Sequence, residues 1–267
     1  MDGLSLNSIE PEDIELLEAL QPEGWQDIRP AFRHAITAAY CNPIKVSTHG
    51  KIVGLGNCFM HRNTAWLAGI IVHPAYRNRG IGQMITETLI ESAKRRVETI
   101  YLDATVFGYP IYKKLGFEVE TEYIHFKGRQ QNPISPHPDI HSFQPAHEQE
   151  VLQLDHLISG EHRELILKEQ IQHAHIYLRG NQVLGAYFPT LRDGFILAND
   201  PKAGLELMKL RQTAFDYAIF PENNISALQF IKSLEFHPYR TSKRMRLGKK
   251  RPWRPDCIYN RISGQLG

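Results

Sequence analysis

The chain has 267 residues, of which 42% are hydrophobic and 22% charged, and its formal net charge is +2. These values are typical of a globular protein with one large or two small domains, and so small a charge gives no sign of a nucleic-acid partner. No apolar run approaches the roughly 20 residues of a membrane-spanning helix, and the N-terminus has no secretory pattern, so no membrane partner is expected. The three cysteines, Cys41, Cys58 and Cys257, are widely spaced, which favours reduced thiols and a cytoplasmic location.

The first half reads as two helices, a meander of three strands and a further helix. Helical spacing is found in IEPEDIELLEAL and in DIRPAFRHAITAAY. The strand-like runs PIKVST, KIVGLGNCFM and TAWLAGIIV follow, separated by short turns, and predict an antiparallel meander. After Gly80, apolar residues recur on one helical face, and then come a strand in ETIYLDAT, a short helix in YPIYKKLGF and a strand in FEVETEYIHFKG.

The second half repeats this order after a segment rich in proline and polar residues. The run IYKKLGFEVETEYIHFKG aligns with FIKSLEFHPYRTSKRMRLG, and GKIVGLGNCF aligns with NQVLGAYF. A repeated order of elements with aligned sequence indicates an internal duplication. We therefore expect domains at residues 1–128 and 140–267, joined by a linker at residues 129–139, with a basic tail at the C-terminal end.

The stretch VHPAYRNRGIG, residues 72–82, joins a strand to a helix through two arginines and two glycines. The first backbone N–H groups of a helix, together with its dipole, form an anion site, and glycines let a ligand approach the backbone closely. The stretch lacks the Lys-Ser/Thr ending of a nucleotide P-loop and the three-glycine spacing of a dinucleotide fingerprint. The residues alone therefore predict a site for a pyrophosphate or a similar anion, with a tight turn carrying solvated arginines as the alternative.

Two motifs together resemble the GNAT acetyltransferases. Arg77, Gly80 and Gly82 fill the family pattern Arg/Gln-x-x-Gly-x-Gly/Ala, and Tyr112 stands shortly before the Gly-Phe of LDATVFGYPIYKKLGF, as in the family's later motif. Thr105 departs from the pattern, which often has asparagine there. The resemblance covers roughly residues 1–127. It implies an α/β (α+β) fold of two tandem GNAT-like domains, each a mixed, mostly antiparallel sheet flanked by helices.

The resemblance also implies acetyl-CoA as co-substrate, with no metal. The strand AGIIV should splay from IYLDA and expose backbone groups to the pantetheine arm, with Ile71 and Val72 as the contacts. The pyrophosphate should lie on the backbone amides of the loop and first helical turn, formed by Arg77, Asn78, Arg79, Gly80, Ile81, Gly82 and Gln83. The implied reaction is direct transfer of an acetyl group to a primary amine of a small molecule in a ternary complex.

The resemblance makes Tyr112 the general acid that protonates the leaving thiolate. The alternative for Tyr112 is a half-buried tyrosine that only packs. The base is left open because TAWLAGIIV contains no acidic residue. His73, ordered water and a set of carboxylates are the candidates, the carboxylates being Asp103, Glu118, Glu120 and Glu122.

The second half lacks both the glycine loop and the tyrosine of the first half. Ile231 aligns with Tyr112, and NDPKAGLELMK, which has one glycine, stands where the loop should be. We expect this degenerate half to complete and shape the substrate pocket, or to serve stability alone. The protein is expected to be a monomer or a homodimer.

Three further features suggest other roles. Seven of the thirteen histidines lie between His137 and His175, without the cysteines or paired carboxylates of a metal site. Residues 239–254 carry eight basic and no acidic residues, which suits either RNA or a solvated edge strand. The apolar tail DCIYNRISGQLG should pack back, and its terminal Gly267 could take part in catalysis. The alternative functions are a non-catalytic acyl-CoA-binding regulator and a protein- or RNA-directed acetyltransferase.

Overall fold

The computed structural model describes residues 3–266. The chain divides into two compact units, Met1–Leu102 and Asp103–Gly267. Among the described residues, no helix is both long enough and apolar enough to cross a membrane. The predicted role of Gly267 lies outside the described residues.

The first unit is an antiparallel meander with one long helix against it. Its strands run in the order β1-β2-β3-β4-β5, and only the pairing of β4 with β5 is parallel. The last two residues of β5 fall in the second unit. The elements in chain order are β1 (Leu4–Ser8), a 3₁₀ helix (Pro11–Leu20), α1 (Arg29–Ala35), β2 (Ile44–Thr48), β3 (Lys51–Met60), β4 (Thr64–Val72), α2 (Ile81–Lys94) and β5 (Thr99–Ala104).

Two local expectations for this unit were wrong. The sequence analysis had no strand at β1, which is short and half-exposed and so lacks a strong apolar pattern. The helix expected to reach Tyr40 ends at Ala35. A short turn follows, in which the backbone N–H groups of Thr37 and Ala38 and the Thr37 hydroxyl all donate to the carbonyl of His34.

The helix α2 packs closely on β3 because two glycines of that strand face it. A Cβ on Gly54 would lie 2.9 Å from side-chain atoms of both Ile81 and Ile85, and one on Gly56 would lie 2.6 Å from Ile85. Leu89 continues the same apolar face and is fully buried. The helix is therefore fixed against the strand at its first turns, next to the loop that precedes it.

The second unit contains the remaining elements. They form one sheet of order β12-β6-β11 and a five-stranded sheet of order β13-β10-β9-β8-β7. The elements are α3 (Tyr109–Lys114), β6 (Glu118–Lys127), β7 (Ile140–Ser142), α4 (Glu148–Ser159), α5 (Glu164–Lys168), β8 (His175–Arg179), β9 (Gln182–Phe188), β10 (Phe195–Ala198), α6 (Pro201–Gln212), β11 (Tyr217–Pro221), α7 (Ile225–Ser233), β12 (His237–Gly248) and β13 (Ile258–Asn260).

The order of elements repeats, as the aligned sequences predict. From β1 to β6 and from β7 to β12 the chain forms one strand, helical segments, a meander of three strands, a helix, a strand, a short helix and a strand. The strand β6 pairs with β11 on one side and β12 on the other, so it lies in the second unit although the repeat assigns it to the first half. The domain limits 1–128 and 140–267, which follow the repeat, stay a prediction.

The C-terminal tail packs back into the second unit, as expected from its apolar residues. Its strand β13 pairs antiparallel with β10. On the other side, the Asn260 side chain accepts a hydrogen bond from the Ile219 N–H of β11 at 2.8 Å, and the Arg261 N–H donates to the Ile219 carbonyl at 2.9 Å. The tail therefore lies between two strands of the second half and is bonded to both.

Candidate functional site

Local hydrogen bonds fix the conformation of the loop between β4 and α2. The Nδ1 atom of His73 accepts from the Ala75 N–H at 3.2 Å and so caps a single 3₁₀ turn at Pro74–Tyr76. The Nε atom of Arg77 donates to the Val72 carbonyl at 3.2 Å, which ties the start of the loop to the end of the strand. His73 therefore caps this turn through its Nδ1 atom.

Two residues of this loop have a left-handed backbone. Asn78 has a φ of 60° and Gly80 a φ of 77°. Gly80 is the N-cap of α2, provides no side-chain cap, and has no heavy atom within 4 Å of the position its Cβ would occupy. Because no side chain caps this end, the first N–H groups of the helix are available to an anion.

The predicted pyrophosphate-binding residues lie together at this helix start. Residues 77–80 are exposed and Ile81 is buried against the strand. The Gln83 side chain donates to Glu87 at 2.8 Å on the outer face of the helix. The arrangement is a row of main-chain donors on a positive helix end, with arginine side chains beside it.

In residues 3–266, the edge of β4 that faces β5 has no strand partner beyond Trp66. The ladder between β4 and β5 contains three pairs and ends at Trp66↔Tyr101, whereas β4 continues to Val72. An irregularity in the pairing with β3 falls at Gly69, whose φ is 55°. The splay expected from the resemblance is thus present in the first unit. Ile71 and Val72 lie beyond the last residue that pairs with β5, and both still pair with β3 on the other side.

Tyr112 lies on α3 in the second unit and is half-buried. Burial, with a smaller contribution from the charge of Asp103, raises the pKa of its hydroxyl to about 12. A Cβ on Gly108 would lie 2.6 Å from the Tyr112 ring, so that glycine leaves room for the tyrosine. Thr105, which stands in place of the usual asparagine, uses its carbonyl to accept from the N–H groups of Gly108 and Tyr109 and thereby starts the helix.

The three glutamates considered as bases are each paired with a cation on the neighbouring strand β12. Lys243 bonds to Glu122, Arg246 bonds to Glu118, and Arg244 donates to Glu120 at 3.0 Å. Glu120 is the most buried of them, and its side chain is 5% exposed. They therefore form a ladder of cross-strand ion pairs instead of a free base.

The same ladder neutralises the middle of the basic segment 239–254. The guanidinium of Arg244 also lies over the Trp253 ring, with 4.3 Å between Cζ and the ring centroid. The Arg251 and Arg254 side chains donate to Gly160 and Asn199 within the unit. Charges that are paired with carboxylates contribute little to the attraction of a polyanion, whereas the bonds of Arg251 and Arg254 to neutral groups leave their charges in place.

The histidine-rich segment is spread over several elements. His156 and His162 stack with ring centroids 4.1 Å apart, and their Nδ1 atoms face the Glu161 carbonyl and the Glu164 carboxylate. In the part of the chain that the structure describes, no group of three or more histidine, cysteine, aspartate or glutamate side chains is arranged to hold a metal ion.

The sequence analysis missed two sets of residues around these sites. Gly54 and Gly56 seat α2 on its strand, and the Gly-x-Gly spacing within a strand-like run is the signal that could have revealed them. Arg261 pairs with Asp103 and Asp193, which are separated from it by 158 and 68 positions in the sequence. No local pattern predicts this cluster.

Comparison with known proteins identifies the first half. The model of the acetyltransferase (GNAT) family matches residues 8–117. A protein from Pyrococcus horikoshii, whose assignment as an acetyltransferase is an inference, has a similar structure. The TM-score is 0.85 and the identity is 25%, and the match covers 100% of this chain and 97% of that one.

Two further structures share the fold over nearly the whole chain. A GCN5-related N-acetyltransferase from Sphaerobacter thermophilus superposes with a TM-score of 0.65 and 13% identity, covering 95% of this chain and 98% of that one. A tandem GNAT protein from the clavulanic acid biosynthesis pathway gives a TM-score of 0.59 and 14% identity, covering 92% and 98%. The uncapped helix start, the splayed strand and these matches agree: residues 8–117 match the acetyltransferase (GNAT) family, and the whole chain is similar in fold to tandem GNAT structures.

Proposed function

We propose that the protein is an N-acetyltransferase that moves an acetyl group from acetyl-CoA to a primary amine of a small molecule by direct attack in a ternary complex. The observation that carries the proposal is the start of α2, where an uncapped left-handed glycine leaves backbone donors exposed beside the unpaired edge of β4. A diphosphate joined to an extended amide-bearing arm matches this pair of features.

The proposed contacts follow from that geometry. The amides of residues 77–83 would bind the pyrophosphate, supported by the helix dipole and by the exposed charges of Arg77 and Arg79. The backbone of Ile71 and Val72 would bind the pantetheine amides in the way that a neighbouring strand does. The Cβ position of Gly80 is open. Any residue other than glycine would place its side chain there, in the space proposed for the pyrophosphate.

The chemistry divides between positioning and proton transfer. Acetyl-CoA supplies an activated thioester, and the acceptor must reach it as a neutral amine, although a simple alkylammonium has a pKa near about 10.4. Holding the two reactants together contributes most of the rate gain. Tyr112 would donate its phenolic proton to the leaving thiolate sulfur, and because burial keeps its pKa at about 12, the proton is present throughout the physiological range.

The proposal also covers the location, the oligomeric state and the partners of the enzyme. We place it in the cytoplasm as a monomer or homodimer that binds a small molecule, without a nucleic-acid partner. The Cys58 thiol, whose pKa burial raises to about 12, would stay protonated and unreactive there. Size-exclusion chromatography with light scattering measures the oligomeric state.

The test is release of coenzyme A from acetyl-CoA in the presence of primary amines, amino acids and aminoglycosides, followed by a thiol reagent. We expect release that requires both reactants. Calorimetry should show acetyl-CoA binding to the wild type even where no amine in the panel is a substrate. An absence of binding at millimolar acetyl-CoA would refute the proposal. Binding of acetyl-CoA would favour the acyl-CoA-binding regulator if no amine caused release of coenzyme A from either the wild type or Tyr112→Phe.

A further inference from the structure

Arg79 lies in the loop between β4 and α2, and its side chain is held over an aromatic ring. The Cζ atom of its guanidinium is 5.1 Å from the centroid of the Tyr76 ring. The Tyr76 ring meets the His73 ring edge-on, with 5.6 Å between the centroids and 80° between the planes. A guanidinium at this distance from an aromatic face is attracted to it. The exposed Arg79 side chain therefore has a preferred position instead of moving freely in solvent.

The other arginine of the loop is held at a different place. The Nε atom of Arg77 donates to the Val72 carbonyl at 3.2 Å, so this side chain is tied to the end of β4. Asn78, which stands between the two arginines, has a left-handed backbone with a φ of 60° and turns the chain there. The loop therefore holds two separate cations, one at the strand and one over the Tyr76 ring.

No acidic group of the described chain is paired with Arg79. The loop from residue 73 to residue 80 contains no aspartate or glutamate, and within residues 3–266 the guanidinium has no ion pair. A guanidinium offers two parallel N–H donors to a phosphate, and a side chain that is already ordered loses less freedom when it binds. Arg79 therefore has the charge, the donors and the fixed position that recognition of a phosphate requires.

Acetyl-CoA carries one phosphate group more than the backbone amides are proposed to bind. Its pyrophosphate is assigned to the amides at the start of α2, but its ribose bears a further phosphate, a 3′-monoester with about 1.5 to 2 negative charges near pH 7. The Arg79 side chain is folded back, since it lies over a ring that precedes it by three residues. Its charge is thus available to a second anionic group beside the pyrophosphate.

We propose that Arg79 binds the 3′-phosphate of coenzyme A and so makes the site specific for acetyl-CoA over its 3′-dephospho form, with Tyr76 as the positioning residue for the guanidinium. The inference rests on the proposed function, and it concerns the acetyl donor alone. Arg77, which is tied to the end of β4, contributes charge near the pyrophosphate and gives no such preference, because the two forms of the ligand are identical there.

The first test compares two ligands on the wild-type protein by calorimetry. The probes are acetyl-CoA and acetyl-dephospho-CoA, which differ only in the 3′-phosphate. We expect the wild type to bind acetyl-CoA about tenfold more tightly, which is the gain expected from one charge-assisted hydrogen bond. This preference should shrink as salt is added, because both charges are exposed to solvent. Equal affinities of the wild type for the two ligands would overturn the inference.

The second test assigns the preference to one side chain. In Arg79→Ala, the affinity for acetyl-CoA should fall to that for acetyl-dephospho-CoA, and the affinity for the dephospho form should change much less. Arg77→Ala is the matched control, because it removes the same charge two positions away and should weaken the binding of both ligands by a similar factor. A preference that survives in Arg79→Ala, or that is lost equally in both variants, would contradict the assignment.

Variants of Tyr76 separate a positioned guanidinium from a surface charge. Tyr76→Phe retains the aromatic face and should keep the wild-type preference, whereas Tyr76→Leu removes that face and should lower the preference about threefold. Arg79→Lys keeps the charge but lacks the planar pair of donors, so its preference should lie between those of the wild type and Arg79→Ala. An unchanged preference in Tyr76→Leu would show that the ring does not position the guanidinium.

The two proposals fail in different ways. If the wild type binds neither ligand, the proposed function fails at once. If it binds both ligands equally and releases coenzyme A in the presence of an amine, the Arg79 contact is wrong and the acetyltransferase proposal is untouched. The substituted side chains are exposed or half-buried, so thermal unfolding of the variants should stay close to that of the wild type. The wild-type comparison of the two ligands decides the matter even if a variant does not fold.

Discussion

The helices α2 and α6 occupy equivalent places in the two halves of the chain but begin in opposite ways. The N-cap of α2 is Gly80, which has no side chain to bond the first amides. The N-cap of α6 is Asp200, whose carboxylate accepts from the Ala203 N–H at 3.0 Å. A carboxylate of the chain therefore sits on the helix end where an anionic ligand would otherwise bind.

The edges of the neighbouring strands also differ, and again it is the second half in which the backbone groups are paired by the chain. Beyond Trp66 the edge of β4 has no partner in β5. The corresponding strand β10 pairs with β13 of the tail, and the Tyr259 ring of that tail packs on Gly204 of α6, where a Cβ would come within 2.2 Å. The short helices differ as well, because Ile231 is fully buried where the first half has Tyr112.

The comparison teaches how one fold can be retained with and without the open helix start and strand edge that are proposed to bind a ligand. Both halves keep a glycine at the strand that receives the helix, Gly54 and Gly185, where a Cβ would meet helix side chains in each case. What changes is the set of groups at the helix start and the strand edge. In the second half these groups are satisfied by the chain itself.

The largest effect is expected from Tyr112→Phe. Loss of a general acid costs about 100-fold or more in kcat, while acetyl-CoA affinity should be unchanged because the proposed donor contacts are in the backbone. Tyr109→Phe, on the same helix, is the control and should retain wild-type kcat. Steady-state kinetics with both variants measures this, and a kcat for Tyr112→Phe within threefold of wild type would remove the distinction between Tyr112 and Ile231.

The pH profile sharpens the same point. Because burial raises the pKa of Tyr112 to about 12, its proton is retained as the pH rises through the range in which an alkylamine becomes neutral. We expect kcat/KM to rise with pH and to show no fall below about pH 10, where an unperturbed tyrosine would ionise. A decline that begins near pH 9, and that is abolished by Tyr112→Phe, would show that the phenol ionises far more easily.

Gly80→Val tests the open helix start. A β-branched residue at a φ of 77° is strained, and its side chain would cover the amides. We expect acetyl-CoA affinity to fall more than tenfold, which corresponds to about 1.4 kcal/mol. Gly180→Val in the second half is the matched control, since Gly180 also has a left-handed backbone and open space around its Cβ position. Equal losses of affinity in the two variants, measured by calorimetry, would contradict the assignment.

Arg77→Ala should have a smaller effect. The side chain is exposed, and an exposed ion pair is worth roughly 0.2–1 kcal/mol, so the affinity for acetyl-CoA should fall by a factor of about 1.4 to 5. The difference should shrink as salt is added, because screening weakens surface charges. Arg62→Ala, also exposed but in the turn between β3 and β4, should leave the affinity unchanged. The measurement is calorimetry at two ionic strengths.

Asp200→Ala should leave activity unchanged and lower stability alone. Loss of the cap is expected to cost about 1 kcal/mol in the free energy of unfolding, and the stoichiometry should remain one acetyl-CoA per chain because α6 still lacks the glycine-rich loop. The helix-start hydrogen bond and Arg179 lower the pKa of Asp200 against its desolvation. Its contribution is therefore present above about pH 4 and is lost as the pH falls below it.

Urea unfolding of Asp200→Ala at pH 7 and at pH 3 measures this dependence. The gap between variant and wild type should narrow at the lower pH. A second equivalent of acetyl-CoA bound by the variant would show that Asp200 alone blocks a competent site in the second half, and the comparison drawn above would then have to be revised.

Much of the fold was readable from local patterns. The meander from β2 to β4, the helix after Gly80 and the repeated order of elements all follow from apolar periodicity and turn residues, which act over a few positions. The loop and tyrosine motifs were also local, and the roles of the residues named in them stay predictions. The early end of α1 at Ala35 was missed because the helical spacing of apolar residues continues toward Tyr40.

The sequence alone determined the order of most elements, the duplication, the glycine loop and the loss of that loop in the second copy, because each depends on short local patterns. Only the tertiary structure decided that β6 pairs within the second unit, that the glutamates of β6 are engaged by cations, and that the tail fills an edge of the second half. It also decided that Arg261 bridges Asp103 and Asp193. Such contacts join residues far apart in the chain, and their choice of partner depends on packing and on the burial of charge, which no local pattern records.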